Sequence, residues 1–190
     1  MKWNFIPILI FIGGCTIHTG PQDKITLSNV TELNDFSGIY KNAGDPDNYL
    51  SRIIWNWNHI NINGSTFEHN EINLIQVIPS QNSLVIKAIS NDCVIFTKEY
   101  VLGKDFILNN GEIVLQNNMH VLFAPPSMII GPYTDKKTLG LDTKGHGAYK
   151  NKAFTAGLAA LVVPMAISAT EEARFNKLGN TKEYGTCVNR

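Results

Sequence analysis

The chain has 190 residues with 16 basic and 16 acidic side chains, so its formal net charge is zero at neutral pH. A chain so balanced has no broad basic field to draw nucleic acid or an acidic lipid surface. Its length suits one ordinary domain with a sizeable core, and its three cysteines lack the CxxC spacing of zinc ribbons and dithiol redox centres.

Lys2 and the apolar block from Phe5 to Ile12, interrupted by Pro7, have the pattern of a secretory leader. The block falls well short of the about 20 apolar residues that a spanning helix needs. It ends on Ile12-Gly13-Gly14-Cys15, which resembles the lipobox of bacterial lipoproteins. The resemblance implies a signal peptide over 1–14, a diacylglyceryl thioether on Cys15, cleavage before it, and acylation of its new amino group. Burial of acyl chains is worth about 0.8 kcal/mol per CH2, and two or more chains anchor stably, so the partner implied is the membrane itself, through Cys15. Thr16 stands where Asp would retain a lipoprotein in the inner membrane, which implies the outer membrane, on its periplasmic or surface face. An ordinary secretory leader with an incidental cysteine is the alternative.

Residues 15–34 are polar, carry Gly20-Pro21 and show no period, which predicts a flexible tether; 35–190 is expected to be a single β-rich domain. In "DFSGIYKN" Phe36, Gly38 and Tyr40 share one side of an extended chain, a first strand. After the turn-rich "AGDPDN", Leu50, Ile53, Ile54 and Trp57 have helical spacing, with Asp47 or Asn48 as cap, although the alternation of Trp55 and Trp57 leaves a strand open. "INLIQVIP", "SLVIKAIS", "CVIFTKEYV" and "EIVLQN" form the runs of an antiparallel meander, with "LGKDFILNNG" as a separator and Asn110-Gly111 as a hairpin turn.

Downstream, "APPSMIIGPY" is expected to be an irregular crossover, and "TLGLDTKGHGAYK" a hairpin turning through Lys144 to Gly147. Ala153 to Thr170 is uncharged over 18 residues, the borderline length for a span; Pro164, Gly157 and the small residues favour a strand pair buried in the core. "TEEARFNKLG" has the signals of a helix, with Thr170 as cap, Glu171 and Glu172 in the first turn and Gly179 past the end. The fold class expected is mainly β, an antiparallel meander or small barrel with one or two short helices. The strand series opened by Gly38-Ile39-Tyr40 resembles the small lipocalin-like domains of bacterial lipoproteins.

Candidate chemistry is sparse. Cys93 and Cys187 form either one disulfide, worth roughly 4 to 5 kcal/mol in the chain-entropy model, or two buried thiols. None of the five histidines pairs at i, i+4, and His59 and His69 with Glu68 and Glu71 fit a solvated loop better than a metal site. "DPD" at 45–47 fits a polar turn better than a calcium loop, and no G-x-S-x-G, S-x-x-K or phosphate-binding loop occurs. No catalytic residue, metal or cofactor is expected, and the chain is not expected to be an enzyme. Two functions remain: an anchored envelope protein whose β-domain binds another envelope component, or a carrier of a small apolar ligand in a cavity lined by Trp57, Phe96 and Phe106.

Overall fold

The computed structural model describes residues 13–55, 59–62, 65–115, 120–124, 129–159 and 163–187; at 13, 59–62, 65, 120–124, 129–131, 158–159 and 163–164 it describes the backbone alone. Strand β1 is Gly13–Thr19, and after a 3-10 turn at Leu33–Phe36 the chain forms β2 (Gly38–Lys41). Short strands β3 (Ala43–Gly44) and β4 (Asn48–Tyr49) pair and lead into the α-helix α1 (Leu50–Trp55). β5 (His59–Ile62) and β6 (Ser65–Glu68) make a second small ribbon. Then come β7 (Leu74–Pro79), β8 (Ser83–Ser90), β9 (Cys93–Val101), β10 (Phe106–Asn109), β11 (Glu112–Leu115) and β12 (His120–Ala124). Three 13-residue strands follow, β13 (Ile129–Leu141), β14 (Gly147–Ala159) and β15 (Val163–Phe175), and the chain closes on β16 (Lys177–Gly179) and β17 (Gly185–Thr186).

The protein is therefore mainly β, with a curled half-barrel sheet of lipocalin-like class. One sheet has the order β16-β2-β7-β8-β9-β17; the other runs β1-β15-β14-β13-β11-β10, with β12 also on β13. Local chemistry sets the tight turns. Asn91 and Asp92 between β8 and β9, and Asn110 and Gly111 between β10 and β11, all have positive φ, as two-residue hairpin turns require. Gly111 is needed twice over, because a Cβ there would also collide with the backbone of Val30. Between β13 and β14 the Asp142 carboxylate accepts the N–H groups of Lys144 and His146, each at 2.9 Å, and Arg174 Nε donates to its other oxygen at 2.9 Å.

The core lies between the sheets. On β8 the alternation puts Leu84, Ile86 and Ala88 inward, facing Phe106, Ile113, Leu141, Tyr149 and Phe175 of the other sheet. Leu50, Ile53, Ile54 and Trp55 of α1 close one side. Phe175 is wholly buried, worth about 2 kcal/mol or more, and its ring occupies the space where a Cβ on Gly44 would go. Among the described side chains of β13, β14 and β15 the buried apolar ones are Leu141, Ala148, Tyr149, Ala173 and Phe175, all in the halves joined by the 142–146 turn.

Several segments differ from their sequence expectation. The 15–34 stretch is laid on the domain instead of hanging as a tether: β1 pairs in parallel with β15, Ser28 N–H donates to Leu141 O at 2.8 Å, and Ile25, Val30 and Leu33 are buried. Isolated apolar residues suffice for docking where a strand edge offers backbone partners, and they leave no period to detect. Of the expected crossover, Ile129 to Tyr133 belong to β13 and residues 125–128 lie outside the described residues, and β10 lies within the expected separator. The expected helix over 170–179 is β15 and β16: Glu171, Ala173 and Phe175 face one side, and Thr170, Glu172 and Arg174 the other, where Lys150 and Asp142 pair with the charges. The described parts of the 153–170 segment form a strand pair, but among their side chains only Thr155 is buried, and Phe154 is 50% exposed. Among the described residues no helix is long and apolar enough to cross a membrane.

Candidate functional site

A cleft of about 840 Å³ opens between α1, the β9–β10 corner and the inner face of the long strands. Its sheet wall is set by cross-strand register. Lys137, Asn151 and Glu171 are direct partners on β13, β14 and β15, so they stand side by side, with Asp135, Tyr133 and Tyr149 on the same face. Facing them are Asp47, Asn48 and Arg52 from the start of α1, and Lys98, Tyr100, Lys104 and Asp105 from the β9–β10 corner. Four cationic and four carboxylate side chains line the cleft, so its field alternates in sign instead of favouring one charge.

Several of these groups are held in place. Asn48 Nδ2 donates to Glu171 Oε1 at 2.7 Å, Asp135 lies 3.9 Å from Lys137 Nζ, and Asp105 accepts the Val101 N–H at 2.9 Å. Lys98 Nζ sits 4.6 Å from the centre of the Tyr100 ring, whose hydroxyl donates to Ile54 O at 3.1 Å. Burial raises the Tyr100 and Tyr149 hydroxyls above the usual tyrosine range, helped by Asp105 at the first and by Glu171, Asp135 and Tyr133 at the second. Tyr133 moves the same way through burial, then Asp135 and Glu171. All three remain neutral hydroxyls near pH 7. Asn151 Oδ1 is buried without a hydrogen-bond partner, an acceptor whose desolvation a polar ligand would relieve.

No family model, curated protein or solved structure matches the chain.

Cys15 lies exposed on β1 with a free thiol. Cys93 and Cys187 are joined by a disulfide, which fixes β17 alongside β9. Phe106 is buried in the core, while Phe96 packs edge-on against Trp55 with ring centres 5.2 Å apart, and Trp57 falls outside the described residues; the two described aromatics do not share a cavity. The void beside Phe106 is about 60 Å³, well below the roughly 300 Å³ from which ligand pockets begin. His69 is buried with Nδ1 2.8 Å from Ser51 Oγ, and Glu68 and Glu71 close a capping box around the 3-10 turn His69–Glu71, so these groups do not converge on an ion. Asp45 exchanges backbone hydrogen bonds with Arg174.

The sequence marks Asp47 and Asn48 only as turn or cap residues and gathers no cleft from them, yet β13 carries one signal. Along β13 a single face carries Leu141 and Leu139, then Lys137, Asp135 and Tyr133. A strand face that changes from apolar to charged midway marks where the core stops and a solvent-lined wall begins. The facing residues come from distant parts of the chain and leave no local pattern.

Proposed function

We propose that the chain is a lipid-anchored protein of the bacterial cell envelope whose non-catalytic β-domain binds another envelope component in the cleft. Attachment rests on Ile12-Gly13-Gly14-Cys15 and on the exposure of Cys15 on an edge strand, within reach of a modifying enzyme. Thr16 beside it favours the outer membrane. The observation that carries the binding reading is the contrast in volume: about 840 Å³ of mixed-charge cleft against about 60 Å³ of apolar interior. Among the described residues the larger space is lined by polar groups, which supports polar recognition over carriage of an apolar ligand.

A photo-crosslinking residue at Lys104, on the exposed rim of the cleft, tests this in intact cells. The expected result is a discrete adduct from Lys104 and none from Ile107, an exposed position outside the cleft. Equal adducts from both positions, or none from Lys104, would contradict it.

A further inference from the structure

The last described residues form a strap. β16 lies beyond β2 at one edge of its sheet and β17 beyond β9 at the other, so residues 180–184 carry the chain across β2, β7, β8 and β9. The crossing is fixed midway, at Gln76. On β7 this residue alternates with the core residues Ile75 and Val77, so it faces outward, and its Nε2 donates to Lys182 O at 2.7 Å. Lys182 therefore lies over the outer face of the sheet.

Among the described residues, little besides the Cys93–Cys187 disulfide holds this segment down. None of residues 178–187 is buried, and even Leu178 is 53% exposed, so no side chain ties the strap to the core. β17 has two residues, and the Cys187 N–H donates to Val94 O at 3.2 Å. Ordering the 180–187 backbone costs more conformational entropy than these few hydrogen bonds return, so the crosslink decides whether the strap stays. Gln76 favours release. It is 1% exposed, yet its Oε1 is buried without a hydrogen-bond partner, and turning the amide round would only set that oxygen against the Lys182 carbonyl. Lifting the strap lets water reach it.

We propose that the Cys93–Cys187 disulfide is a reducible latch, which a dithiol opens to release the strap from a sheet that stays folded. Cys187 is exposed and Cys93 half-buried, so attack falls on the Cys187 sulfur. A thiolate of the dithiol bonds to that sulfur while the S–S bond breaks, and Cys93 leaves as a thiolate that takes up a proton. The second thiol of the reductant then attacks the mixed disulfide and frees Cys187, so two electrons pass to the protein and the dithiol ends as a disulfide. The hydrophobic core lies on the other face of the sheet, which is why it survives the release. What opens is Gln76 and the edge of β9 at Cys93 and Val94, where β17 pairs in the latched form.

Limited trypsin digestion of the full chain, with and without dithiothreitol, reads the strap and the sheet separately. Cleavage after Lys182 reports on the strap, and cleavage after Lys87 of β8 and Lys98 of β9 on the sheet. Each digest is quenched, alkylated to mark the thiols already free, and then fully reduced before its fragments are identified by mass, so an intact disulfide hides no cut. Dithiothreitol should free Cys93 and Cys187 and speed cleavage after Lys182 at least about ten-fold, with cleavage after Lys87 and Lys98 unchanged. Cys187→Ser should show the fast rate without reductant. Cysteines that stay oxidised in the folded protein, or a slow rate at Lys182 after reduction or in Cys187→Ser, would overturn the proposal. Equal acceleration at Lys87 and Lys98 would also overturn it, since the disulfide would then staple the whole fold.

Discussion

Asn42 has more structural consequence than any residue the sequence drew attention to. It is fully buried, donates from Nδ2 to His69 O at 2.7 Å and Ile72 O at 3.0 Å, and accepts the Ser51 N–H at 2.8 Å. One side chain thus ties the end of β2 to the first turn of α1 and to the turn before β7. Asn42→Ala strands two carbonyls and one N–H in the interior, and the expected loss is about 2 to 4 kcal/mol, read as a lower urea midpoint with an unchanged slope. A loss below about 1 kcal/mol would mean that water replaces the side chain. Asn42 was not legible beforehand because an asparagine beside a turn usually marks the turn itself. Lys137, Asn151 and Glu171 form no contiguous motif, because they become neighbours only through the register of three strands.

At the level of elements, the meander was legible where alternation and turn chemistry agree. β7, β8 and β9 carry β-branched runs bounded by polar turns, and Asn110-Gly111 specifies its own hairpin. Local signals misled at 170–179, where a capping threonine and two glutamates mimic a helix start. There the pairing of β15 with β14 over 13 residues outweighs helix signals worth about 1 kcal/mol each. Lys150 and Glu172, directly opposite and 2.6 Å apart, show why those glutamates suit a strand. β1 escaped notice for another reason: it gains its partner from β15, about 150 residues later in the chain, and its own sequence has no alternation to announce it.

At the level of the molecule, the core between the sheets is built around three tyrosines, and this gives a pH signature. Burial raises Tyr40, Tyr100 and Tyr149 above the ordinary value of 10.0. The unfolded chain therefore releases these protons first, so their contribution is intact below pH 10 and is lost as pH rises beyond it. Each tyrosine kept protonated lowers stability by about 1.4 kcal/mol per pH unit in that window. Urea unfolding at stepped pH should fall steeply above about pH 10, and Tyr100→Phe should remove one share of the slope. A flat profile would place the tyrosine hydroxyls in contact with water. Attachment through Cys15 gives the cleft its orientation to the membrane. Its most direct test is metabolic labelling with a radiolabelled fatty acid, comparing the full chain with its Cys15→Ser variant in a bacterial host. The chain should incorporate label and Cys15→Ser none; label persisting in Cys15→Ser, or absent from the unsubstituted chain, would contradict the account.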